Sequence, residues 1–470
     1  MSFVRHIAGV KGLAAGLLAV AMFPDPVRAH ASEQGFVLLL PTDVYITAGA
    51  ASVALTVILL IFLPDRVSLG LFRALRLFPM SRTALRLVTS CLSFLFLAWL
   101  IHTGLTGPRD PLANPMTLFI WTVWWVGFTA LQGLIGNLWH WVNPWAGPVA
   151  VVRHLLGLRP MLHLPHRVAP WLAVAGFLAL SGFIMADIAP SDPARLARVA
   201  GLYWLAMFAA ALVFGPRWLL RAEAVSVFMH SYARMGLFGR LRRALAAGLP
   251  GWGVFAMRVP SLGLAVFMLV LLGCGSFDGL NETFWWLGVL GINPLEFPGR
   301  SAVVWQNLAG LLAANASLVA AYTLSIWLGL SISGGGMTLN RAFRVFAPTI
   351  LPIALGYHIA HYFTSFLVDG QYALNALNDP YATGADLLGM GQVYVTTGFF
   401  NTQDSVRAIF LTQAGAVVVG HMLAIILSHA IAVREFGSAR RALLSQAPLA
   451  VFMVLYTFFG LWLLAAPRGA

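Results

Sequence analysis

Residues 408–433, AIFLTQAGAVVVGHMLAIILSHAIAV, decide the fold class. The run holds no Asp, Glu, Lys or Arg, and Arg407 and Arg434 close its two ends. An apolar layer about 30 Å thick is crossed by about 20 helical residues rising 1.5 Å each, so this run is long enough to span it. Lipid offers no water to the backbone, which leaves helix as the only conformation for a single spanning run. Working outward, nine further apolar segments lie near residues 44–63, 87–101, 116–139, 168–185, 199–214, 254–274, 302–330, 346–368 and 449–465. The expected fold class is therefore all-α, a polytopic helix bundle of about ten transmembrane helices, forming one domain over residues 30–470 with the lipid bilayer around it.

Composition agrees. Of 470 residues 60% are hydrophobic and 10% charged, whereas soluble proteins average about 25% charged. The net charge of +13 does not point to nucleic acid, because the arginines recur in short clusters between apolar runs and form no single patch. Those clusters set an orientation. The loops after the first, third, fifth, seventh and ninth segments carry Arg66/Arg73/Arg76/Arg82/Arg86, Arg153/Arg159/Arg167, Arg217/Arg221/Arg234/Arg240/Arg242/Arg243, Arg341/Arg344 and Arg434/Arg440/Arg441. The alternate loops are neutral or acidic, with Asp187, Asp192, Asp278, Glu282, Glu296, Asp369, Asp379, Asp386 and Asp404 among their charges. Short arginine-rich loops stay cytoplasmic, so both mature ends are expected outside a bacterial inner membrane.

The first 29 residues read as an export signal, with Arg5 and Lys11, an apolar run over 12–23 and Val27-Arg28-Ala29 as the small-x-small cleavage site. Cleavage there makes His30 the N-terminus. Cys91 and Cys274 both fall in apolar segments, which argues against a disulfide framework or a thiolate zinc site. No His-Glu-x-x-His or Gly-x-Ser-x-Gly motif occurs, and Ser333-Gly334-Gly335-Gly336 lacks the Lys-Ser/Thr of a phosphate loop. The tryptophan-rich stretch from Asn137 to Trp145 reads as an interfacial aromatic belt. Residues 222–232 read as an interfacial helix. The outer loop 369–407 reads as a surface loop, with a lid over a site as the alternative.

Ionisable groups within spans are costly and are functional candidates by default. His358 and His361, at i and i+3 in Gly356-Tyr357-His358-Ile359-Ala360-His361-Tyr362, share one helical face. Counted inward from Asp369, they sit about 16 and 12 Å below the outer surface, and His421 about 21 Å below Arg407. A three-histidine site is thus possible after a small shift of helix ends. His429, near the cytoplasmic end, is expected to be structural. His102, Asp278, Asn281 and Glu282 lie on the same side as His361 and offer a mixed His/carboxylate site. His30 as a free N-terminus would pair its amine and imidazole as a copper chelate. The competing explanation for all of these is hydrogen bonding between helices.

The chain resembles a family of bacterial multi-span membrane proteins called fenitrothion hydrolases. The resemblance is carried by Ala29-His30, Val142-Asn143-Pro144-Trp145, Glu223-Ala224-Val225-Ser226-Val227-Phe228, Gly275-Ser276-Phe277-Asp278-Gly279, the run from Pro352 to Phe363, Gly420-His421 and Ser428-His429. It implies hydrolysis of an aryl phosphorothioate triester, a small apolar substrate reaching the site from lipid or from the periplasmic side. A divalent transition metal, zinc or copper, would activate water for that reaction. His358, His361, His421, His102 and His30 are its candidate ligands, and Asp278 or Glu282 its base or supporting carboxylate. Two other readings stay open: a transporter or copper-handling permease whose pathway these histidines line, and a bis-histidine haem protein.

Overall fold

A computed structural model describes residue 37 and residues 40–79, 83–297, 299–391 and 393–468. The expected export signal and His30 lie outside the described residues. Among the described residues ten helices are long and apolar enough to cross a membrane. They are α1 (Thr42–Ile61), α2 (Ala84–Thr106), α3 (Pro115–Leu134), α4 (Ala169–Ala186), α5 (Pro193–Phe214), α6 (Leu262–Leu280), α7 (Val304–Ile332), α8 (Leu339–Asn378), α9 (Gln403–Phe436) and α10 (Ala439–Ala465). The chain is a multi-pass, all-α membrane protein.

Local chemistry sets many of the ends. Asn114, Asp192, Ser261, Thr338 and Thr402 each precede a helix and accept a hydrogen bond from a backbone N–H of its first turn. The sixth span therefore starts at Leu262, not near residue 254, because Pro260 and the cap at Ser261 stop helix from running back. Its other end reaches Leu280, which places Asp278 inside the span rather than just beyond it. The third span widens into π-helical turns over Leu118–Phe128, a conformation that is rare and concentrates at functional sites.

α8 departs most from expectation. It passes through a 3-10 turn at Ala347–Ile350, with Pro348 inside it and Pro352 just after it, and then continues to Asn378, past residue 368. Its polar extension is stabilised by the returning loop. Gln371 exchanges two hydrogen bonds with the backbone of Thr396, at 2.9 and 3.0 Å, and Asn375 Nδ2 donates to Val393 O at 2.9 Å. Asn378 Nδ2 donates to Asp386 Oδ1 at 2.8 Å. The outer loop is shorter than 369–407 and is tied down to the helix.

α8 is also the central helix, 89% buried over its most apolar window against 11% for α2 at the rim. It packs on α9, α3 and α6, while α10 fills the space between α9 and α7. The α8–α9 crossing depends on glycine. A Cβ at Gly356 would stand 2.4 Å from Ala416 O, and one at Gly420 2.6 Å from Pro352 O. The backbones touch because both side chains are missing.

Loops group on two faces. On one, β1 (Leu75–Pro79), from the loop after α1, pairs antiparallel with β3 (Ala244–Ala247), which pairs with β2 (Phe238–Leu241), both from the loop after α5. Arg242 and Arg243, at φ 49° and 65°, make the two-residue turn of that hairpin. Arg86 Nε donates to His140 O at 3.2 Å, Arg344 Nε to Pro260 O at 2.6 Å, and Arg341 pairs with Glu435 at 2.8 Å. All five arginine-rich loops therefore meet. On the opposite face Arg109 pairs with Asp192 at 3.6 Å and His102 bonds Tyr381 at 3.0 Å. The alternation expected from loop charge is the alternation of the fold.

Candidate membrane-embedded site

The short helix Ala224–Tyr232 is buried along almost its whole length. The expectation of an interfacial helix fails because this segment re-enters the bundle from the arginine-rich face and packs against α4, α3 and α8. Its N-terminus is capped by Glu223, fully buried, whose carboxylate accepts from Val225 N at 2.8 Å, from Ser226 N at 2.6 Å and from Tyr203 OH. Burial raises the Glu223 carboxyl above its ordinary range, although Ser226, Tyr203 and Val225 bond it and pull the other way.

The tryptophan-rich stretch holds this half-helix. Trp139 Nε1 and Asn143 Nδ2 donate to Ser226 Oγ at 3.0 and 2.9 Å, and Gln132 Nε2 donates to Met229 O at 2.8 Å. Trp139, Asn143 and Trp145 are buried, so the reading as an aromatic belt is replaced by a clamp. Beside it, burial followed by the charge of Arg86 brings His140 down to about 4.

Phe228 and Tyr232, one turn apart on the half-helix, reach a cavity of about 30 Å³ among α3, α4, α6 and α8. That volume holds one or two waters. Asp278 from α6 and His361 and Tyr362 from α8 form its polar wall. His361 Nε2 lies 3.1 Å from Asp278 Oδ2, and Tyr362 OH donates to the same oxygen. The side chains of His361 and Asp278 are 8% and 12% exposed. His361 Nδ1 is buried with no hydrogen-bond partner among the described residues. Gly279 makes the packing possible, since a Cβ there would overlap the Tyr357 hydroxyl, and Tyr357 stacks on His361 at 5.7 Å between ring centres.

His358, one turn before Tyr362, also lines the cavity, but its Nε2 lies 2.8 Å from the Trp125 carbonyl. A carbonyl only accepts, so Nε2 carries the proton. His421 is buried elsewhere. Its Nδ1 donates to Val417 O at 2.8 Å, its Nε2 has no partner, and Tyr456 is its ring neighbour at 6.4 Å. His102 is exposed beside Tyr381, and Glu282 is exposed past the end of α6. His429 is buried near the arginine-rich end of α9.

Of the expected site residues, the fold brings together His358, His361 and Asp278 and keeps His421, His102 and Glu282 apart from them. Among the described residues no three His, Cys, Asp or Glu side chains stand together to hold a metal ion. The bonds from His358 Nε2 to Trp125 O and from His361 Nε2 to Asp278 fix both rings and leave Nδ1 of each as its remaining ring nitrogen, but His421 is not among the residues lining this cavity. Sequence reasoning gave no role to Tyr362, Trp125, Phe228 or Tyr232. The spacing i, i+4 of Phe228 and Tyr232, and of His358 and Tyr362, was the available signal.

No family model, curated protein or solved structure matches the chain. Several short motifs of the sequence have structural roles here. Gly356 and Gly420 form the helix crossing, Asn143 and Ser226 the clamp, Glu223 the cap, and Asp278 and Gly279 the polar wall.

Proposed function

We propose that this protein is a proton-coupled permease for a small solute, with Asp278 and His361 as the proton-carrying pair. The observation that carries the reading is the buried Asp278–His361–Tyr362 group where a re-entrant half-helix meets a span interrupted by proline. Intramembrane carboxylate–histidine pairs mark proton relays, and interrupted helices mark the binding sites of transporters. The pair has two charge states: minus one with neutral imidazole, zero once His361 takes a proton on Nδ1. At an effective dielectric of about 20 and about 4 Å, one charge on another is worth roughly 4 kcal/mol, so a change of state alters what the cavity accepts.

The test uses the full chain in liposomes holding a pH-sensitive dye, with a membrane potential imposed by a potassium gradient and valinomycin. Proton uptake should exceed that of empty liposomes and fall to their level in Asp278→Asn and His361→Gln. Uptake that both variants retain would reject the pair as carrier.

The unpartnered His361 Nδ1 favours one second reading. In that reading Asp278 would hold Nε2 and Nδ1 would act as general base on water admitted to it, the division of labour of an Asp–His pair in hydrolases. An aryl phosphorothioate is many times the volume of this cavity, so hydrolysis requires the half-helix to move. Nitrophenol release from fenitrothion by membranes bearing the protein, lost in His361→Gln, is the outcome this reading expects.

A further inference from the structure

The cavity walls are unusual for a site built around a carboxylate. Trp125, Phe177, Phe228, Tyr232, Tyr357 and Tyr362 all contribute, and they come from α3, α4, the half-helix and α8. Aromatic faces carry negative potential and attract cations within about 6 Å of the ring centre. They repel carboxylates and phosphates equally well. Asp278 supplies the only acidic side chain among the lining residues, and no arginine or lysine is among them, Arg468 acting on Asp278 from outside the lining. Its Oδ2 is occupied by His361 and Tyr362, while no described residue bonds Oδ1. Size then narrows the class, since about 30 Å³ admits one or two water-sized particles.

We infer that the cavity binds a small monovalent cation of ammonium size, held by Asp278 and surrounded by aromatic rings. The inference rests on the permease reading for its physiological sense but concerns binding alone. One cation neutralises the ionised carboxylate, which is how a buried charge becomes tolerable. The N–H groups of ammonium would donate to the Asp278 carboxylate. A divalent ion would leave a net positive charge against one carboxylate. A quaternary ammonium would exceed the volume. Phe228 and Tyr232 belong to the half-helix, so entry from the arginine-rich face requires that helix to shift, and the ligand rings are part of the barrier.

Detergent-purified full-length protein, titrated by calorimetry with ammonium chloride against a background of N-methylglucamine chloride, tests this. Saturable heat is expected with ammonium and none with tetramethylammonium chloride or with phosphate added as its N-methylglucamine salt. Asp278→Asn should abolish binding. Phe228→Leu, which keeps apolar bulk and removes the ring, should weaken it about five- to tenfold. Size-exclusion profiles show that each variant is folded, and Tyr232→Leu repeats the aromatic test should Phe228→Leu prove unstable. No heat with ammonium, an equal response to tetramethylammonium, or unchanged affinity in both ring variants overturns the inference. Binding without proton uptake in the liposome assay would reject the permease reading and leave the cation site standing. Proton uptake without ammonium binding would do the reverse.

Discussion

Asp278 and Gly356 show how differently single residues act in this bundle. Asp278 is costly in the membrane and is tolerated because His361 and Tyr362 bond it. Its spacing in the sequence said only that a carboxylate lay near the sixth span; that it faces inward and meets His361 depends on where α6 starts. Gly356 has no chemistry, yet it fixes where α8 and α9 touch. A methyl group there would stand 2.4 Å from the Ala416 carbonyl, an overlap with backbone that no side-chain rotation relieves. Gly356→Ala should cost about 1–3 kcal/mol, read as a lowered unfolding temperature in detergent. Gly356→Leu should prevent assembly of the bundle, and a normal size-exclusion profile for it would disprove the close crossing.

The element that matters most is the half-helix Ala224–Tyr232. Its position depends on Glu223, buried at its N-terminus with a raised carboxyl titration. A carboxyl raised by folding is easier to protonate in the folded state. Its contribution is therefore fully present below the ordinary value of 4.5 and is lost as pH rises through the folded value. Unfolding temperature should fall as pH rises above the ordinary carboxyl value, and the fall should be smaller in Glu223→Gln, which cannot ionise. An equal fall in both proteins would remove Glu223 as its source. Hydrogen exchange at the backbone amides of this helix should follow the same pattern.

At the scale of the whole molecule, the five arginine-rich loops form one surface, joined by the strand pairing of β1 with β3 and by the Arg341–Glu435 ion pair. Loop charge predicts that this surface faces the cytoplasm. In a Cys91→Ser/Cys274→Ser background, Gly384→Cys on the acidic face should react with a membrane-impermeant maleimide in intact cells. Gly157→Cys on the arginine-rich face should react only after permeabilisation. The reversed pattern would invert the orientation.

The ten spans and their alternation were legible in the sequence, because the length and apolarity of a span and the charge of its flanking loops are local properties. His358 and His361 were also legible as a pair, since three residues make most of a helical turn. The three-histidine grouping, the belt reading of Trp139 and Trp145, and the far end of α8 were decided by tertiary structure. Inside a membrane every long helix is apolar, so hydropathy does not say which face meets which neighbour. Glycine contacts at Gly356, Gly420 and Gly279, and buried hydrogen bonds such as those to Ser226, decide that. They join residues far apart in the chain, and only the packed helices bring Asp278, His361 and the rings of the half-helix around one cavity.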